Sequence, residues 1–125
     1  MALLYEELSY TIRGMFFKIY NELGPGFKED VYTRALFELL KDKNIPYEKE
    51  KQFNINFKNV KIGITRIDLV VDNKIIIEIK ATNINNSVFE KQLLSYFKST
   101  GLSLGFLVNF GMQKLFIKRY VNNKI

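Results

Sequence analysis

Along residues 3–23, Leu4, Leu8, Ile12, Met15, Phe16, Ile19 and Leu23 recur at helical spacing, which predicts one amphipathic helix with a single apolar stripe. The stretch "LGPGF" ends it. Gly24 suits the position just past a helix, Pro25 cannot continue one, and Gly26 leaves the turn free before a second helix over about 27–43. That helix is expected to bury Val31, Leu36, Leu39 and Leu40. From Tyr47 to Lys80 the period changes towards two, and "QFNINF", "VKIGITRIDLVV" and "KIIIEIKA" read as three strands, antiparallel because their turns are short. Ser87 with Glu90 three residues on has capping-box spacing and opens a helix over 87–100 that stops at Gly101. Two more strands follow, "LGFLVNF" and "KLFIKRY". The order α-α-β-β-β-α-β-β predicts a mixed α/β fold whose sheet is covered by helices.

Composition narrows the chemistry. A chain of 125 residues, 47% hydrophobic and 14% aromatic, suits one globular domain over 1–125 with a core of its own. Cysteine is absent, which excludes disulfides and thiolate–zinc sites and points to no oxidising compartment. Histidine is absent too, so the commonest general base and the commonest transition-metal ligand are both missing. Carboxylate, lysine and tyrosine remain for catalysis, and a metal held by such groups would be a hard cation such as Mg²⁺ or Mn²⁺. The start "MALLYEELSY" carries two glutamates and does not resemble a signal peptide, and no stretch approaches the roughly 20 apolar residues of a membrane span. A cytoplasmic protein is the expectation.

Lys and Arg number 19 against 13 Asp and Glu, and the resulting charge of +6 favours polyanionic partners. Lys58, Lys61, Lys91, Lys98, Lys114, Lys118 and Arg119 are spread over several elements; those that flank an active site would supply phosphate contacts. Phe and Tyr fall mostly at core periodicities, which predicts packing in place of base stacking.

The segment "RIDLVVDNKIIIEIKA" is apolar enough for a core, yet Asp68, Glu78 and Lys80 interrupt it. Residues two apart on a strand share a face, so Glu78 and Lys80 project together while Ile75, Ile77 and Ile79 project the other way. One reading is a half-exposed hairpin with Lys74, Glu78 and Lys80 on its outer side. The other depends on the turn. A two-residue loop at Asp72-Asn73 would pair Asp68 with Ile77 and separate the carboxylates; a three-residue loop would bring them to the same face. Asn73 tolerates the left-handed conformation that closes the longer loop, and a three-residue loop or an equivalent bulge is expected. Two carboxylates so placed repel each other, and a divalent cation between them relieves the repulsion. With Lys80 beside it, such a set suits phosphodiester hydrolysis.

Asp68 followed ten residues later by Glu78-Ile79-Lys80 resembles the Asp…Glu-x-Lys core of the PD-(D/E)XK nuclease superfamily, with Ile67 where proline often precedes the aspartate. "GFKEDVY" spaces Gly26, Glu29 and Tyr32 as in the proteins named for a GxxExxY motif, a group assigned to that superfamily. "NELGPGFKEDVYTRAL", "IDLVV…IIIEIKA" and "LLSYFKSTGLSLGFLVNFG" are similar to the same group, over essentially residues 5–120.

The resemblance implies a restriction-endonuclease-like fold and a metal-dependent nuclease acting on nucleic acid, with DNA expected. Glu29, Asp68 and Glu78 would hold Mg²⁺ or Mn²⁺ together with the backbone carbonyl of Ile79, and Lys80 would orient the attacking water. Gln92 and Tyr96, at i and i+4 on the third helix, resemble an accessory Gln-x-x-x-Tyr motif beside the active site in recombination nucleases of the superfamily. Tyr32 would hydrogen-bond in the site or simply pack in the core. Glu29 also has a plain explanation, since an acidic first helical turn is favoured by the macrodipole, as Asp30 is. A junction-resolving role would require two active sites and hence a homodimer. The alternative function is a nucleic-acid-binding or accessory module that keeps the fold but has little intrinsic cleavage.

Overall fold

The computed structural model describes residues 4–122. Its elements follow the order that the periodicity predicts: α1 (Glu6–Leu23), α2 (Glu29–Asp42), β1 (Tyr47–Phe57), β2 (Val60–Val71), β3 (Ile75–Lys80), α3 (Ser87–Thr100), β4 (Leu104–Asn109) and β5 (Phe116–Val121). The five strands form one sheet in chain order, β1-β2-β3-β4-β5. Short turns make β1–β2, β2–β3 and β4–β5 antiparallel, whereas α3 carries the chain back across the sheet so that β4 pairs parallel with β3.

Helices cover both faces. On one side Ile12, Phe16 and Ile19 of α1 and Leu36 and Leu40 of α2 pack on Leu69, Val71, Ile75, Ile77, Phe106 and Val108. On the other, Leu93, Tyr96 and Phe97 of α3 pack on Ile67, Val70, Ile76 and Leu107. Each such side chain withdrawn from water contributes about 1.5–3 kcal/mol before the entropy of ordering it is subtracted. Burial on both faces explains why β3 and β4 are nearly continuous apolar runs and do not alternate. The half-exposed hairpin is therefore not what forms: every residue from Ile75 to Ile79 is buried, Glu78 included.

Two local expectations are corrected. Val31 is 38% exposed, and the inward position in the first turn of α2 belongs to Tyr32. The N-cap of α3 is Asn86 and not Ser87; the Asn86 side chain accepts from the Val88 N–H at 2.9 Å, which leaves Ser87 as the first helical residue.

The connection between α1 and α2 is closed by Tyr32. Gly24 ends α1 with φ 66° and Gly26 follows with φ 113°, conformations that a side chain would strain. Across this turn the Tyr32 hydroxyl donates to the Gly24 carbonyl at 2.6 Å and accepts from the Phe27 N–H at 3.2 Å. Its ring stacks on Phe110 at 4.7 Å between centroids. The turn leads directly into α2, whose first residue is Glu29.

Candidate active site

The hairpin loop between β2 and β3 has three residues, Asp72, Asn73 and Lys74, because Val71 pairs with Ile75 and Val70 with Ile76. Asp72 and Asn73 both take left-handed φ values, 52° and 53°, and the Lys74 N–H closes the loop onto the Val71 carbonyl at 2.9 Å. The odd length is the one expected, but the ladder stops short of Asp68 and Glu78, which are not paired with each other. Beyond Val70–Ile76 the two strands part, so the β2-facing edge of β3 around Glu78 and Ile79 is free of ladder pairing.

Strand alternation also breaks at Asp68. Ile67 and Val70 both belong to the α3 side of the sheet, while Leu69 and Val71 belong to the α1/α2 side. On β1, where Lys49 pairs with Leu69 and Lys51 with Ile67, the intervening Glu50 adopts φ 52°. Both strands reverse their facing at this point. Asp68 emerges exposed at the boundary, lining a shallow pocket with Glu29, Thr33, Phe37, Lys49 and Glu50.

Glu78 projects to the α3 side and is only 3% exposed. Its partner is Lys80, whose Nζ lies 3.1 Å from Glu78 Oε2. The same ammonium donates to Gln92 Oε1 at 3.4 Å and sits 4.8 Å from the centre of the Phe89 ring. Burial raises the Glu78 carboxyl above its ordinary value; Lys80 opposes the rise, and the charges of Asp68 and Glu29 add to it. Glu29, on the first turn of α2, is likewise raised by partial loss of hydration and by Asp68, against the pull of Lys80. Tyr96 is pushed up to about 12, first by burial and then by Glu78 and Asp68, while its hydrogen bond with Gln92 acts the other way.

Glu29, Asp68, Glu78, Lys80, Gln92 and Tyr96 therefore share one electrostatic neighbourhood, although they come from α2, β2, β3 and α3. Ile79 lies between the two charged residues, its side chain in the α1/α2-side core and its backbone in the parallel ladder opposite Val108. Tyr32 stands apart: its hydroxyl is spent on the α1–α2 turn. Among the described residues no three acidic side chains are gathered into a ready-made metal-holding group. The candidate donors are carboxylate oxygens, the kind a hard cation takes, and the buried Glu78 carboxyl lies in the field of two further carboxylates, a charge excess that a cation would relieve.

Residues outside the expected site also shape it. Asn109, fully buried at the end of β4 opposite Lys80, accepts through Oδ1 from the Thr82 N–H at 3.1 Å and the Gly111 N–H at 3.0 Å. Its Nδ2 donates to Thr82 Oγ1 at 3.2 Å and Asn85 Oδ1 at 3.0 Å. These bonds fix the chain leaving β3 just past Lys80. Gly111 lies so close beneath that segment that a Cβ would meet the Thr82 nitrogen at 2.4 Å. The polar residue ending the apolar run "LGFLV" was the available signal.

A search of curated proteins returns no match. A crystal structure of the protein SSO0001 is similar at 25% sequence identity and a TM-score of 0.57, over 78% of this chain and 52% of that one. The chain thus spans about half the length of that protein. The model of the PD-(D/E)XK nuclease superfamily matches residues 6–120, nearly the whole chain. With its five-stranded mixed sheet, three helices and Asp68…Glu78-Ile79-Lys80 at the parting of two strands, this chain belongs to the PD-(D/E)XK nuclease superfamily.

Proposed function

We propose that the chain is a metal-dependent nuclease of the GxxExxY group, hydrolysing phosphodiester bonds in DNA in a cytoplasmic repair or recombination role. The observation that carries the reading is the burial of Glu78 against Lys80, within the field of the Asp68 and Glu29 charges, where β2 and β3 separate. A solvated surface hairpin has no reason to hold an anion in that position, because burying it costs several kcal/mol unless it is paired.

Glu29, Asp68 and Glu78, with the Ile79 carbonyl, would hold Mg²⁺ or Mn²⁺. When bound, such an ion polarises a phosphoryl oxygen and lowers the pKa of water. The rest of the work falls to the chain. Lys80, fixed by Glu78, Gln92 and Phe89, presents an ammonium that orients the attacking water and stabilises charge developing on the phosphate. Gln92 is a positioning residue, joining Lys80 to Tyr96. Tyr96 keeps its proton throughout the neutral range and remains a hydrogen-bond donor. No described helix is long and apolar enough to cross a membrane.

Cleavage of labelled linear duplex, single-stranded and four-way-junction DNA in Mg²⁺ or Mn²⁺ tests the reading, with Glu78→Ala and Lys80→Ala as comparisons. Cutting that needs the metal and both residues supports it and ranks the substrates; preferred cutting of junctions, with a dimeric mass, would assign a resolving role. Salt-sensitive binding with no cutting would replace the nuclease by an accessory module.

A further inference from the structure

The β1–β2 hairpin extends well past the sheet. β3 pairs with β2 at Val70 and Val71, yet the β1–β2 ladder continues from Gln52–Arg66 out to Phe57–Val60, an arm about 20 Å long at strand rise. Phe53 still packs on the α3-side core, but beyond it the arm has no cover: Phe57 and Val60 are each 60% exposed and Ile62 63%, with Ile55 and Ile64 exposed as well. Phe57 is thus among the aromatic residues that do not serve packing. The turn is tight, with Lys58 and Asn59 both left-handed at φ 51° and 64°, which holds the tip as a two-residue ribbon end.

The arm is also one-signed. From Lys51 to Ile67 it carries Lys51, Lys58, Lys61 and Arg66 and no acidic residue. Lys51 is paired with Glu48 and Arg66 with Glu50, both outside that stretch. Among the described residues Lys58 and Lys61 meet no carboxylate, and Lys58 instead lies 5.7 Å over the Phe57 ring. The base of the arm is Asp68.

We propose that this arm is a DNA-binding ribbon that enters the major groove of a B-form duplex and leads its backbone to the carboxylates at the arm's base. A two-stranded ribbon fits that groove, about 12 Å wide, whereas the deep, narrow major groove of A-form RNA does not admit it. The free lysines at the tip meet phosphates, and Phe57, Val60 and Ile62 meet thymine methyl groups. A second copy of the chain is the poorer occupant, since two arms laid together would oppose like charges without an anion between them. The inference rests on the nuclease reading only for the identity of the polyanion.

The test uses the wild-type protein in EDTA, so that bound DNA stays uncut, with fluorescence anisotropy of duplex DNA and duplex RNA across a salt series. Lys58→Ala/Lys61→Ala, at exposed positions with an unchanged melting temperature, is expected to reduce the slope of log affinity against log salt by about 2, near 0.9 per phosphate contact. Duplex RNA is expected to bind more weakly and to be indifferent to the two lysines. An unchanged slope, with Glu78-dependent cleavage intact, overturns the arm and leaves the nuclease standing. Lysine-dependent binding by a protein that never cuts supports the arm and removes the nuclease. A fall in molecular mass on Phe57→Ser, with the DNA slope unaltered, reassigns the arm to self-association and overturns the proposal.

Discussion

The Lys80 ammonium lies 3.1 Å from Glu78 Oε2, and the two residues share the α3-facing side of a strand that is otherwise apolar from Ile75 to Ile79. The pair is unequal. Glu78 is enclosed, while Lys80 keeps about a fifth of its side chain in contact with solvent. Lys80 is therefore the member that can reach outward, and Glu78 the member that needs a counter-charge.

Removing Lys80 leaves that need unmet. Lys80→Ala is expected to cost about 1–3 kcal/mol of folding stability, the penalty of a buried charged acceptor without its partner. Urea unfolding at neutral pH measures it. A loss smaller than experimental error would mean that Glu78 is not held by this contact.

The raised Glu78 carboxyl makes a pH prediction with a definite sign. The folded protein binds this proton more tightly than the unfolded chain does, so stability falls as pH rises from the ordinary value of 4.5 through the raised one. Glu78→Gln removes the ionisation. Its melting temperature is expected to match wild type near pH 4 and to rise above it as the pH is raised to 7 in EDTA. A difference that does not change with pH would contradict the assignment of burial as the dominant cause.

Tyr32 should separate stability from catalysis. Tyr32→Phe keeps the stack on Phe110 and loses the hydroxyl's bonds to Gly24 and Phe27, at an expected cost of about 1–2 kcal/mol. Below the melting temperature its cleavage rate should remain within about two-fold of wild type, a difference of roughly 0.4 kcal/mol. A large rate loss with unaltered stability would place the hydroxyl in the chemistry.

Gly111 and Asn109 hold the chain segment just after Lys80. Gly111→Ala drives a Cβ into the backbone of Ala81 and Thr82, where no flexible side chain can yield. A cost of about 1–3 kcal/mol is expected, as for other overpacked sites. Asn109→Ala strands the Thr82 and Gly111 N–H donors and is expected to cost a similar amount. Thermal unfolding of the two variants and of their combination checks this, and the double variant should show less than the sum because both act on one segment.

Much of the fold was legible because its signals are local. The α1 stripe and the "LGPGF" stop follow from residue chemistry within a few positions, and the left-handed tolerance of Asn73 favoured the three-residue loop that forms over the two-residue loop that was also open. The errors arose where two local solutions compete. Asn86 and Ser87 are both good caps, and the extended backbone that an N-cap requires falls on Asn86. Val31 and Tyr32 are adjacent on α2, and the hydrogen bonds across the Gly24–Phe27 turn draw the tyrosine inward.

What the sequence concealed is tertiary. The reversal of facing at Asp68 depends on a left-handed Glu50 on the neighbouring strand, a conformation for which glutamate has no preference. Parity counting along one hairpin could not include it. The burial of Glu78 likewise follows from α3 lying over that face, and the exposure of Phe57 from β1 and β2 outrunning the rest of the sheet.

Titration of Mn²⁺ into the purified protein by calorimetry, with Glu78→Gln in parallel, reads cation binding at this carboxylate without any choice of substrate. Saturable binding by the wild type is expected, weakened at least ten-fold, about 1.4 kcal/mol, by Glu78→Gln. No binding by the wild type, or binding that Glu78→Gln leaves unchanged, would contradict a cation site built on this carboxylate.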